Sequence, residues 1–209
     1  SSKAMGLYKR YIKRTLDFIG ALFLTLLMLP VFAVIWILVR VFMGAPVVIV
    51  QNRVGLNGKV FKLYKFRTML VAKDKNGKLL PDAKRITRLG AFLRKSSLDE
   101  ILQFINILKG DMSFIGPRPF MDFEIKALSE EANQKRSSVL PGMSGLAQVS
   151  GRNELTLDKK LKKDFEYIDN MSFLLDLKIF FKTVLTVIFC VSSTPLNKNT
   201  VENYIKNKK

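Results

Sequence analysis

The chain has 209 residues, with 35 Lys and Arg against 17 Asp and Glu and a formal net charge of +18. Such a balance implies an anionic partner: nucleic acid, acidic lipid head groups or a phosphorylated substrate. There is no histidine and one cysteine, Cys190, which excludes histidine general bases, Ser-His triads, Cys-His dyads, an intramolecular disulfide and zinc sites of the usual composition. Any catalysis must run on carboxylates, and the lone cysteine fits a reducing, cytoplasmic environment.

The length suits one catalytic domain with a membrane anchor. Residues 1–6 (SSKAMG) read as an expression scar, 7–43 as a membrane-associated helix broken at Pro30, 44–191 as a cytoplasmic catalytic domain that includes interface helices, and 192–209 as a polar basic tail. The expected class is α+β and mostly helical, with an N-terminal reentrant membrane helix, a small β-hairpin and a helical catalytic domain.

Residues 18–39 carry no charge, a run long enough to cross a bilayer as one helix. Lys9, Arg10, Lys13 and Arg14 precede it, and Arg40, Arg53, Lys59 and Lys62 follow, so the positive-inside rule draws both flanks to the cytoplasm. Pro30 lies at the midpoint without the amide that would bond residue 26. The expectation is a helix, a break and a returning helix within one leaflet, the alternative being a kinked spanning helix.

Residues 47–51 and 60–66 have strand character and flank a Gly55–Gly58 turn, so they predict a hairpin. At the end of its second strand, KFRTM brings Lys65 and Arg67 to face an anion or solvent. Residues 74–85 are polar and turn-rich and predict a surface loop.

In RKSSLDEILQFINILKGDMSFIGPRP, residues 94–119, Ser97 and Glu100 have capping-box spacing, while Leu98, Ile101, Leu102, Ile105 and Leu108 make one buried face that Gly110 ends. A plain capped helix accounts for that spacing. Asp99 then falls at the second helical position, where the exposed amides and helix dipole should keep it ionised and available as a nucleophile. The same end can hold a phosphate, with Arg94, Lys95 and Arg118 supplying cations and a divalent metal completing the neutralisation. Prolines on both sides of Arg118 stiffen its backbone, which suits bidentate contact with a carboxylate or phosphate. Residues 140–153, LPGMSGLAQVSGRN, predict a bent loop carrying Gln148, Arg152 and Asn153, able to cradle a nucleotide. Residues 173–191 predict a helix at the membrane interface with its lysines toward head groups.

These segments together resemble the bacterial sugar transferases, the monotopic phosphoglycosyl transferases that load polyprenyl phosphate with a sugar phosphate. The resemblance runs from about Tyr8 to Thr186 through KFRTM, the LRKSSLDE to GPRP block, PGMSGLAQVSGRN and YIDNMSFLLDLKIFFKT. It is closest to the small bacillosamine-phosphate transferases of bacterial N-linked glycosylation. It implies Mg²⁺ dependence, a reentrant helix at the cytoplasmic face of the bacterial inner membrane, and a covalent phosphosugar-aspartate intermediate. On this reading Asp99 is the nucleophile and metal ligand, Glu100 its partner, Lys65, Arg94 and Arg118 the phosphate-binding cations, and Gln148 and Arg152 nucleotide contacts. The implied partners are a UDP-sugar, polyprenyl (undecaprenyl) phosphate and anionic membrane lipid, without nucleic acid; the alternatives are a membrane-tethered nucleic-acid-binding protein, from another class, and a transferase acting on another UDP-sugar for surface polysaccharide. Ala147 and Met171 stand where relatives often carry Trp, which bears on sugar and nucleotide specificity.

Overall fold

The computed structural model describes residues 6, 8–151 and 155–188. A π-helical turn, Tyr8–Ile12, leads into α1, Lys13–Met43. The expected break at Pro30 does not divide this segment: one helix runs through the proline. A proline removes one intrahelical bond and bends a helix, while the ladder on either side can continue.

One stripe of α1 faces the domain. Lys13, Asp17 and Ala21 are buried at its start and Ile35, Val39 and Met43 at its end, while Leu24, Met28, Val31 and Phe32 between them are only partly buried. On the outer side Phe23, Leu26, Leu27, Ile37 and Val41 are each at least 59% exposed. Pro30 is also exposed, on the outer side of the helix.

Both ends of α1 are tied to the same body. At the start, Arg14 donates to Ile107 O at 2.7 Å and Leu108 O at 3.2 Å, and Asp17 accepts from the Phe114 amide at 3.1 Å. At the end, Gly44 takes φ +76° and the Arg67 guanidinium donates to the carbonyls of Met43, Gly44 and Ala45. Arg67, expected with Lys65 to face an anion or solvent, caps a helix instead. The strand has ended at Phe66, and the chain's turn sends the two cations to different places.

The hairpin forms as expected, β1 (Val48–Val54) pairing antiparallel with β2 (Val60–Phe66) from Val48↔Phe66 to Val54↔Val60. Most of residues 74–85 is irregular, ending in the short α2, Asp82–Arg85. Next come α3 (Arg88–Lys95), a 3₁₀ turn (Leu98–Glu100) and α4 (Gln103–Lys109), which Gly110 closes at φ +91°. Gly90 in α3 lies so near the hairpin's exit that a Cβ would stand 1.8 Å from Thr68 O. The buried Asn106 accepts from Tyr64 N at 3.2 Å and donates to Lys62 O at 2.7 Å, fixing α4 along the free edge of β2.

A second, parallel pair joins β3 (Ser113–Ile115) to β4 (Gly142–Ser144), with α5 (Asp122–Ile125) and α6 (Glu130–Arg136) in the crossover. Then follow α7 (Leu146–Val149), α8 (Leu157–Asn170) and α9 (Phe173–Ile188). The expected glycine-rich loop at 140–153 is thus a strand and a short helix over 142–149; Arg152, Asn153, Cys190 and the 192–209 tail lie outside the described residues. The main core joins Ala21, Val39 and Met43 of α1 to Leu63, Phe66, Leu93, Phe104 and Ile107.

The last helix, α9, has two faces. Leu174, Phe181 and Leu185 are 75%, 57% and 53% exposed, while Ile179 and Asp176 are buried. Asp176, expected among spaced charges along the helix, instead accepts from Tyr8 at 2.6 Å, Lys13 at 2.5 Å and Tyr167 at 2.7 Å. Those partners come from distant segments, and burial with them raises the pKa of both tyrosines.

Candidate active site

The carboxylate pair lies where α3, the 3₁₀ turn and β2 meet. Ser97 adopts left-handed geometry at φ +58° and makes no side-chain cap; its carbonyl accepts from the Glu100 amide at 3.2 Å instead. The expected capping box is therefore absent and α4 begins only at Gln103. With the register changed, Ile101, Leu102, Phe104 and Ile107 form the buried face while Ile105 is 37% exposed. Asp99 sits on the 3₁₀ turn rather than in the first turn of an α-helix.

The two acids have opposite electrostatics. Lys65 Nζ lies 2.6 Å from Glu100 Oε1 and Arg118 Nη2 lies 3.8 Å from the same oxygen. Burial raises the Glu100 pKa, but Lys65 and Arg118 outweigh it and hold it at about 2. Asp99 is 8% exposed, and among the described residues no cation pairs with its carboxylate. Burial, then the charge of Glu100, push its pKa up to about 6 against the more distant Lys65 and Arg94. Desolvation outweighs the expected helix-dipole effect and raises the pKa, yet at about 6 the carboxylate is still ionised at pH 7.

Beside the pair opens a cleft lined by Arg53, Lys65, Glu100, Gln103, Arg118 and Met143, among others. Three cations around one carboxylate make it a site for a polyanion. Arg94, from the end of α3, donates to Thr68 Oγ1 at 2.9 Å and acts on Asp99 through its charge. Gln148 donates to Met143 O at 3.0 Å, while its Oε1 is buried without a hydrogen-bond partner. Lys65 and Arg118 thus gather around Glu100, Lys65 and Arg94 act on Asp99 through their charge, and Gln148 is tied to the cleft residue Met143.

The residues from 8 to 190 match the family model described as bacterial sugar transferase. The chain belongs to the bacterial sugar transferases. It is 42% identical over 193 residues to the uncharacterized sugar transferase EpsL of Bacillus subtilis, covering 92% of this chain and 95% of that one. It is 37% identical to the undecaprenyl-phosphate galactose phosphotransferase of Salmonella typhimurium over 86% of this chain, and 38% identical to a UDP-N-acetylgalactosamine-undecaprenyl-phosphate N-acetylgalactosaminephosphotransferase of Aeromonas hydrophila over 85%. The chain spans 41% and 44% of those two longer relatives.

In this sugar transferase the sequence reading did not assign two polar residues of the cleft, Arg53 and Gln103, to the site. Arg53 had a legible signal, a cation at an inward position of an alternating strand. Gln103 had none, because its inward direction depends on where α4 begins.

Proposed function

We propose that the enzyme transfers a sugar 1-phosphate from a UDP-sugar to undecaprenyl phosphate and releases UMP, through a covalent phosphosugar intermediate on Asp99. The observation that carries this reading is the divided dyad: one carboxylate neutralised by Lys65 and Arg118, the other buried, without a paired cation among the described residues and with its pKa at about 6. An unpaired carboxylate that titrates just below neutrality is ionised at pH 7 yet more basic than an ordinary one, as a nucleophile requires. Two relatives, a galactose and an N-acetylgalactosamine phosphotransferase to undecaprenyl phosphate, support the substrate classes.

Asp99 attacks the phosphorus that carries the sugar; the bond to the bridging oxygen breaks and UMP leaves with it. An oxygen of undecaprenyl phosphate then attacks the same phosphorus, the acyl phosphate bond breaks, and Asp99 is regenerated. Both displacements occur at phosphorus, so the anomeric configuration is retained. Arg118, Lys65 and Arg94 spread the negative charge of the transferring group. Two steps avoid holding two polyanions together at once.

Among the described residues no cluster of three or more metal-capable side chains occurs. Mg²⁺ does not need one, since it takes one or two carboxylates and completes its shell with phosphate oxygens and water. The Asp99 carboxylate, with no cation paired to it among the described residues, fits that demand, and a bound Mg²⁺ would supply charge neutralisation to the diphosphate.

The membrane helix is proposed to be reentrant at the cytoplasmic face. A straight α1 of 31 residues would be about 46 Å long and would put its ends on opposite sides of about 30 Å of hydrocarbon. Yet Arg14 ties its start to α4, Arg67 ties its end to β2, and Asn106 joins α4 to β2. The exposed apolar face of α9 then rests on the lipid surface, with anionic head groups matching the protein's charge.

N,N'-diacetylbacillosamine, to which the motif resemblance points for protein glycosylation, shares a 2-acetamido group with the N-acetylgalactosamine of one relative. We take a 2-acetamido UDP-sugar as the donor. UMP release from UDP-N,N'-diacetylbacillosamine, UDP-N-acetylgalactosamine and UDP-galactose with undecaprenyl phosphate tests this. Turnover with either of the first two is expected; use of UDP-galactose alone overturns the sugar assignment, and no UMP from any of them overturns the reaction.

A further inference from the structure

Arg118 is carried by a segment whose backbone is held from outside by two other arginines. The carbonyls of Arg118, Pro119 and Phe120 are consecutive, and each accepts a hydrogen bond: the first from Arg136 Nη2, the second from Arg53 Nη1 at 3.1 Å, the third from the Val54 amide at 3.1 Å. Arg53 stands on β1 and Arg136 ends α6; both are buried. By contrast the Arg118 side chain is 40% exposed and reaches toward Glu100.

Each buried guanidinium is itself held. Arg53 Nη1 lies 3.8 Å from Glu124 Oε2 and its Nη2 donates to Gln51 Oε1 at 3.1 Å. Arg136 Nε donates to Asp164 Oδ2 at 2.8 Å, and its guanidinium lies 3.4 Å from the centroid of the Phe120 ring. Burying two ion pairs behind one surface loop is a poor way to gain stability, since apolar side chains of similar volume serve as well or better. What the arginines supply is direction. Prolines 117 and 119 fix their own φ angles and restrict the residues before them, but the peptide planes on either side of Arg118 are set by where their carbonyls are bound.

We infer that Arg53 and Arg136 are positioning residues for Arg118: by binding the carbonyls of Arg118 and Pro119 they aim its guanidinium across the cleft at the transferring phosphate. This rests on the reading of Arg118 as a phosphate contact. Arg53 also lines the cleft, and its charge is one of those that hold the Glu100 carboxyl low.

The test is a double-mutant cycle. Arg53→Lys keeps the charge and removes the planar fork. With the best donor of the panel and undecaprenyl phosphate, it is expected to lower kcat by about tenfold in the native background but by less than about twofold beside Arg118→Lys, because there is no fork left to aim. Its shift of the thermal midpoint should be the same in both backgrounds. Equal proportional losses of kcat in the two backgrounds would make Arg53 merely structural and overturn the inference. Should Arg53→Lys fail to fold, Glu124→Gln, which loosens Arg53 without removing it, must give the same non-additivity, and Arg136→Lys provides the matching cycle. Normal kcat for Arg118→Lys alone would instead overturn the phosphate contact itself, and the positioning role with it.

Discussion

Lys65 Nζ lies 2.6 Å from one oxygen of Glu100, and that contact separates two neighbouring acids into different roles. Glu100 becomes a fixed anion with a pKa of about 2, and its charge in turn helps burial raise Asp99 to about 6. The more acidic partner thereby makes the other more basic.

The pH profile follows from that division. Because kcat/KM reports the donor-free enzyme, it should rise with pH through about 6 as Asp99 ionises. Glu100→Gln removes a neighbouring negative charge, so its residual activity should show the acid limb at lower pH. Lys65→Met removes a favourable cation and should move that limb higher. Identical limbs in all three enzymes would mean that the rate does not report Asp99.

The same shift has a stability consequence of known sign. Because the folded-state pKa of Asp99 is raised, the fold binds this proton more tightly than the unfolded chain does. Its contribution favours folding below the unfolded value of 3.8 and is lost as pH rises through about 6. In metal-free buffer at pH 7, Asp99→Asn should therefore be more stable than the parent by ~1–3 kcal/mol. Denaturant melts at pH 7 and pH 4 check this, since the gain should shrink at the lower pH.

For the transferring phosphate, Arg118→Lys keeps charge but loses the fork, with an expected fall in kcat of about tenfold or more, and Arg118→Ala should cost more. Chelating divalent metal should stop turnover and Mg²⁺ should restore it. Near-normal rates for Arg118→Ala, or full activity in chelator, would contradict these assignments separately.

Asp176 accepts from Tyr8, Lys13 and Tyr167 and so joins the start of α1 to α8 and α9. Asp176→Ala leaves the Lys13 ammonium buried without its partner, at an expected cost of about 3–5 kcal/mol. Tyr8→Phe removes one hydrogen bond and should cost about 1 kcal/mol. Unfolding in detergent, followed by circular dichroism, should rank the two in that order.

Topology is open to direct labelling. Cysteines introduced at Ser2 and Ala45 in a Cys190→Ser background should both react only with reagents that reach the cytoplasm. Labelling from opposite sides would rule out the reentrant helix and leave the chemistry at Asp99 untouched.

Where local chemistry decides the structure, the sequence was readable. β-branched alternation around GLNGK predicts the hairpin, Gly110 marks a helix end, and an uncharged run marks α1. Adjacent acids among basic motifs mark the dyad. What was not readable depends on tertiary contacts. Ser97 looks like an N-cap, but its left-handed backbone delays α4 to Gln103, rotates the buried face and leaves Asp99 to be controlled by burial. Lys65 and Arg67 look equivalent, yet one meets Glu100 and the other closes α1. Asp176 looks solvated along its own helix because its partners Tyr8 and Lys13 lie more than 160 positions away. Arg53 contributes to the cleft only once the hairpin has packed on Pro119 and Glu124.

The central claim is a covalent step at Asp99, and the most direct measurement is mass spectrometry of the enzyme mixed with its UDP-sugar and Mg²⁺ without any lipid acceptor. The account predicts one UMP released per enzyme molecule and a sugar-phosphate adduct on the peptide containing Asp99, both absent in Asp99→Asn. UMP release only when undecaprenyl phosphate is present, with no adduct at any time, would contradict it.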